Sequence, residues 1–257
     1  NLQSLRVVDR LEQRYPDFDG LNLTFETREG ILKRCTRRHA EELEAREPGG
    51  VGRRFLDGTQ PSIEAQLVNL ADEIAYGAHD VDDGVRSGLL TLDQLCAAVP
   101  LVARWRTQAL AQHPQLAGRR LLFETIRRKL SQQVYDVIGH TRERLATCAP
   151  ADADDARRAP VLVGFGDATR ADVVELKRFL FEALYRHPRV VAKTDAARRV
   201  VRELFAAYVD APAEMPDDYA AAADRHRAVA DYIAGMTDRF ALREHQRLTG
   251  RAVFPDA

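Results

Sequence analysis

The feature that most restricts the fold is helical periodicity. In "PSIEAQLVNLADEIAYGAHDVDDGVRSGLL", Pro61 to Leu90, apolar residues recur at three- and four-residue steps for more than five turns. Only an α-helix gathers such a pattern onto one face, and Pro61 with Ser62 supplies its start. The same period appears in Leu2 to Arg14, where Leu5, Val8 and Leu11 lead to a stop at Pro16 and Gly20. It returns in "NLTFETREGILKRCTRRHAEELEAR", a charged helix with Asn22 or Thr24 as cap, and on both sides of Pro100. "GRRLLFETIRRKLSQQVYDVIGHTRERLATC" predicts a long helix with Leu122, Ile126, Leu130, Val134 and Val137 on one face. "EPGGVGRR" lacks the spacing of a phosphate-cradling loop and reads as a turn. "VLVGF" is the only strand-like run, so the fold class is mainly α, as one irregular multi-helix domain.

The clearest break is Ala149 to Thr169, where Pro, Gly and Asp interrupt the pattern. It divides the chain into residues 1–148, a loop or short strand at 149–169, and a helical region at 170–257. At 257 residues with 45% hydrophobic and 30% charged, the chain has the composition of a soluble globular protein. The net charge of −1 leaves no basic stripe to support nucleic-acid binding, so any cationic site must be local. Cys35, Cys96 and Cys148 lack C-x-x-C spacing, and their odd number argues against a disulfide framework, which points to a reducing cytoplasm. No apolar run approaches the roughly 18 residues that a membrane span needs.

The long helix carries an unusual polar face. Taking Asp72 as zero at 100° per residue, Tyr76 lies near about 40° and Asp80 near about 80°. Ile63, Leu67, Leu70, Ile74, Val81 and Val85 cluster between about 160° and about 220°, which places a core opposite that stripe. A solvated helix back is the ordinary reading of such acids. Against it, five acids fall between Asp72 and Arg86 with no intervening Lys or Arg. Ala65, Ala71, Ala75 and Ala78 keep much of the remaining surface small, as where other helices approach. Carboxylates buried there would need counter-charge, and a divalent cation held by Asp and His is one remedy.

"SIEAQLVNLADEIAYGAHDVDDGVRSGLL" closely resembles a helix of the bacterial dGTPase-like deoxynucleoside triphosphate triphosphohydrolases of the HD superfamily. "NLQSLRVVDRLEQRYPDFDGLNLTFETREGILKR", "LKRFLFEALYRHPRV" and "VADYIAGMTDRFALREHQRLTG" resemble further segments of that family, in order. The resemblance implies a mostly helical fold in which a His, a His-Asp pair and a later Asp hold a divalent metal such as Mg or Mn. Asp72 matches the later Asp, and Tyr76 and Asp80 match nucleotide contacts one and two turns on. It also implies hydrolysis of dGTP or other deoxynucleoside triphosphates to deoxynucleoside and triphosphate, by water attack at the α-phosphorus, in a homo-oligomer.

The departure from the family is upstream. No His-Asp pair precedes Asp72, and the family pattern "HN-x-QSLR" would set a catalytic His immediately before Asn1. The resemblance therefore implies that an amino-terminal part, including the first metal ligands, is absent, so that residues 1–148 would be the carboxy-terminal part of the catalytic core. Asn1 and Gln3 are candidate substrate-supporting residues of that motif, with an ordinary helix start as the alternative. Lys177, Arg178, Arg225 and Arg227 lie in family-like motifs and are expected on solvated faces. Tyr185 and His187 read as a helix end, and Met236, Phe240 and Leu242 as core. Two other functions fit: an inactive helical module that binds nucleotide or a partner, and an HD phosphohydrolase acting on monophosphates or cyclic nucleotides.

Overall fold

The computed structural model describes residues 1–253. They are mainly helical, with no β-strand among them, only an isolated bridge between Gln13 and Gly20. The chain divides into two compact units, Asn1–Leu184 and the part from Tyr185 onward.

In the first unit, α1 (Leu2–Arg6) continues into a π turn (Val7–Leu11). The chain then returns to it at Gly20, whose φ of 77° requires glycine. The charged segment divides into α2 (Phe25–Ile31) and α3 (Arg37–Arg46). Between them Leu32 is fully buried, and the Thr36 hydroxyl accepts from the His39 amide to start α3 afresh. The glycine-rich stretch is a turn leading into α4 (Arg53–Asp57).

The long pattern forms α5 (Ile63–Arg86), capped by Ser62, whose hydroxyl accepts from the Ala65 amide at 3.2 Å. A capping box at Thr91 and Gln94 opens α6 (Leu92–Ala98), and Pro100 occupies the first position of α7 (Pro100–Gln112). Proline suits that position because the first amide of a helix has no internal partner. Next come α8 (Gly118–Cys148), the short α9 (Ala153–Arg158) and α10 (Asp167–Leu180), which runs into a second π turn (Phe181–Tyr185).

The main core lies where α5, α6, α7, α8 and α10 meet, around Val81, Leu95, Trp105, Ile126 and Leu180. Trp105 is 1% exposed and donates its indole N–H to Gln132. A second cluster joins Leu70 and Ile74 of α5 to Val137 of α8 and to Val163 and Phe165. "VLVGF" is thus extended but unpaired: Leu162, Val163 and Phe165 are buried beneath the start of α10.

Two expected core positions are exposed. Leu67 on α5 is half exposed, because the extended segment approaches from the Gln66 side. The Gln66 side-chain carbonyl accepts from the Leu162 and Val163 amides. Val134 on α8 is also exposed, and the buried line instead runs through Ile126, Lys129, Gln133 and Val137.

The second unit holds α11 (Pro188–Asp210), α12 (Asp217–Ala220), α13 (Arg225–Ala234) and α14 (Asp238–Thr249). Val200, Leu204, Tyr208, Met215 and Val229 form its core, and Met236 and Leu242 pack against it as expected. Phe240 is half-buried, with the Arg243 guanidinium over its ring. His187 does not close a helix; it opens α11, its Nδ1 accepting from the Arg189 amide at 3.3 Å. With Pro188 next, the following helix claims this residue.

Candidate functional site

The face of α5 opposite its core carries the residues singled out by the pattern. Leu70, Ile74, Ala78 and Val81 point inward, while Asp72 and Tyr76 are exposed and Asp80 is half-buried. The Asp72 side chain is 65% exposed and the Tyr76 residue 60% exposed, so both are open to a ligand from solvent. Asn1 stands exposed at the start of α1 without making a side-chain cap, and Gln3 is half-buried on the same helix. That helix packs against α2, and α2 in turn packs against α5.

Two acids of α5, Asp72 and Glu73, meet their counter-charges on other elements. Lys33, just beyond α2, donates to Asp72 Oδ2 at 3.1 Å. Glu73 accepts from Arg170 at 2.9 Å and Lys177 at 2.7 Å, both on α10. Lys177 therefore ties two helices together, whereas Arg178 is exposed. In the second unit Arg225 and Arg227 are exposed. Asp83 pairs locally with Arg86.

Behind α5 lies a charge that periodicity did not reveal. Lys129 of α8 is 3% exposed, and its ammonium donates to the Ile74 main-chain carbonyl at 3.1 Å and to Gln133 Oε1 at 2.8 Å. Gly77 faces it: a Cβ there would stand in ordinary contact with Nζ, at 3.4 Å. Burial pushes the Lys129 ammonium down to about 8, opposed by attraction to Asp80 and Glu73. The signal was present in the sequence, since Lys129 and Gln133 interrupt an otherwise apolar helical stripe. Lys33 lay in "EGILKR", within the resembling segment, but nothing local linked it to Asp72.

Among the described residues no group of three or more His, Cys, Asp or Glu side chains is arranged to hold a metal ion. Asp72 offers a single carboxylate, already paired with Lys33. The residues described thus do not by themselves fit a metal centre, and no chemical step is derived through one. Nor is any described helix long and apolar enough to cross a membrane.

The described residues are mainly helical, with an acidic and aromatic face on α5. Residues 163–247 match the phosphohydrolase-associated domain. Over 250 residues the chain is 57% identical to a deoxyguanosinetriphosphate triphosphohydrolase-like protein of Bordetella pertussis, covering 96% of this chain and 64% of that protein. Proteins of the same description from Ralstonia nicotianae and Nitrosomonas europaea are 54% and 48% identical, with 63% and 65% of their lengths covered and 96% of this chain in each case. The chain is a homologue of the dGTPase-like triphosphohydrolases, and it spans a little under two thirds of the length of these relatives.

Proposed function

We propose that the protein hydrolyses deoxynucleoside triphosphates, dGTP among them, to deoxynucleoside and inorganic triphosphate. The observation that carries this reading is the shared outer face of Asp72, Tyr76 and Asp80, with the Lys33 ammonium held against Asp72. In the reaction water adds to the α-phosphorus, the bond from that phosphorus to the sugar 5′-oxygen breaks, and the 5′-oxygen takes a proton. Tyr76 offers its ring to the sugar or its hydroxyl to a phosphate oxygen, and Asp80 accepts from the sugar 3′-hydroxyl. In this reading Lys33, which pairs with Asp72, also meets phosphate oxygens and offsets the repulsion that the acids of α5 would exert on a triphosphate. Asp72 acts as one ligand of a divalent ion only in company with donors that the described residues do not supply. Tyr76 and Asp80 bind and orient the nucleoside without it. By the same reading the enzyme is a homo-oligomer in the cytoplasm.

The test incubates full-length protein with Mn²⁺ or Mg²⁺ and each dNTP and separates the products. Inorganic triphosphate is expected, and Asp72→Ala is expected to abolish its release. Orthophosphate or pyrophosphate in its place would contradict the reading, as would an Asp72→Ala protein that keeps most of its turnover.

A further inference from the structure

We infer that the two ends of α11 dock on each other between copies of this chain, the basic start of the helix in one copy seating against the acidic end in the next. This gives a contact to the homo-oligomer proposed above, and it rests on that reading rather than on the catalytic one.

The start of α11 has little to lie on. From 188 to 199 no residue is buried, whereas Val200, Leu204 and Tyr208 seat the rest of the helix in the core of the second unit. An exposed helix can be held by acid–base pairs at three- and four-residue steps, but Asp195 is the only acid in this stretch and pairs with Arg198 at 3.0 Å. Residues 186–202 hold six Lys or Arg and one acid. Arg189 and Lys193 lie about 40° apart around the helix. Together with Arg202 they are exposed and form no ion pair among the described residues.

The other end of the same helix is acidic. Residues 210–224 hold five acids and no Lys or Arg. Asp210 ends α11, and Asp217 and Asp218 open α12. The Tyr219 ring of α12 lies 5.1 Å from Tyr232, which lies 5.3 Å from Tyr208 in the last turn of α11, so α12 stands beside that end. Asp210, Asp217 and Asp218 are exposed and form no ion pair among the described residues. The 23 residues of α11 hold the two charged ends about 34 Å apart. This distribution works against the helix, whose dipole favours acids at its start and bases at its end. The charges do not serve α11, yet they complement each other. Fitting one end to the other takes a second copy, through a head-to-tail contact that repeats into a ring or a chain. A nucleic acid would meet the basic end alone and leave the acidic end without a partner. Val191 and Val201, exposed among the cations, and the exposed Ala221, Ala222 and Ala223 supply apolar surface for such a contact to cover.

The test weighs full-length protein by light scattering across a salt series. The unaltered protein is expected to be a multiple of one chain at about 0.1 M salt and to lose mass towards about 1 M, where charges are screened beyond about 3 Å. Arg189→Glu with Lys193→Glu reverses the basic end, and Asp217→Lys with Asp218→Lys reverses the acidic end. Each variant is expected at least to halve the mass, at protein concentrations where the parent is fully assembled. Glutamates suit the dipole at a helix start, so the first variant keeps its fold. Asp210→Lys, favoured at a helix end for the same reason, replaces the second variant if that does not fold. Mixing the two variants is expected to restore the mass, since each then offers the charge that the other lacks. An unaltered protein of one chain overturns the contact and the homo-oligomer together. An assembled protein whose mass neither variant changes overturns the contact alone, as do variants that stay apart when mixed. Loss of mass with the basic-end variant only assigns that end to a polyanion such as nucleic acid, and overturns the inference.

Discussion

Replacing Lys129 by Met and Gln133 by Leu should stabilise the protein near neutral pH and flatten its stability at alkaline pH. The folded protein holds the Lys129 ammonium down at about 8, against an ordinary value of 10.5. That difference corresponds to roughly 3 kcal/mol of unfavourable burial when the group is charged. Between these two values the unfolded chain binds the proton and the folded chain does not, so stability contributed by this group rises with pH across the window. Below the window the cost is fully present, and above it the cost is gone. The double variant removes the ammonium and the amide that would otherwise lose its donor, so it should be more stable by about 1 to 3 kcal/mol below the window. Its advantage should then shrink as pH rises. Urea denaturation followed by far-ultraviolet circular dichroism at several pH values reads both effects. Cys35, Tyr208 and Tyr232 are held above their ordinary values by burial and oppose stability at high pH, but they are common to both proteins and cancel in the difference. Parallel stability curves for the two proteins would refute the claim that the buried ammonium carries this cost.

Glu29→Ala should destabilise the first unit by about 3 to 5 kcal/mol, because it strands two guanidinium groups inside the protein. The fully buried Glu29 carboxylate accepts twice from Arg157, once from the Ser62 amide, and stands 3.5 Å from Arg54. A shift in urea midpoint worth less than about 1 kcal/mol would show that these charges are better solvated than the geometry indicates. In the second unit, the hydrogen bond from His245 Nε2 at 2.6 Å holds the Glu203 carboxyl below its ordinary value of 4.5. Its contribution to stability is present above that value and fades as pH falls through the lower folded one. Glu203→Gln should therefore flatten the acid limb of a thermal-unfolding series, and an unchanged limb would exclude Glu203 as its source.

What the sequence determined by itself was local. Helical period, the Ser62 cap and the proline at the head of α7 depend on neighbours within a few residues, and each appears where expected. The common face of Asp72, Tyr76 and Asp80 follows from helix geometry alone. Where a break depended on tertiary burial, the pattern ran on: α2 and α3 read as one helix because only packing removes Leu32 into the core. The short α9, within a segment of Pro and Asp, went unread for lack of a periodic face.

Tertiary structure decided which side of each helix is buried and what neutralises its charges. A wheel orders residues around an axis, but the neighbouring element chooses the angle it covers. For that reason Gln66 is buried and Leu67 exposed, and Lys129 lies inside while Val134 lies outside. Asp72 and Glu73 looked uncompensated because their cations, Lys33 beyond α2 and Arg170 and Lys177 of α10, lie between 39 and 104 residues away in sequence. Electrostatic attraction acts through space, and only the fold brings those charges within its reach.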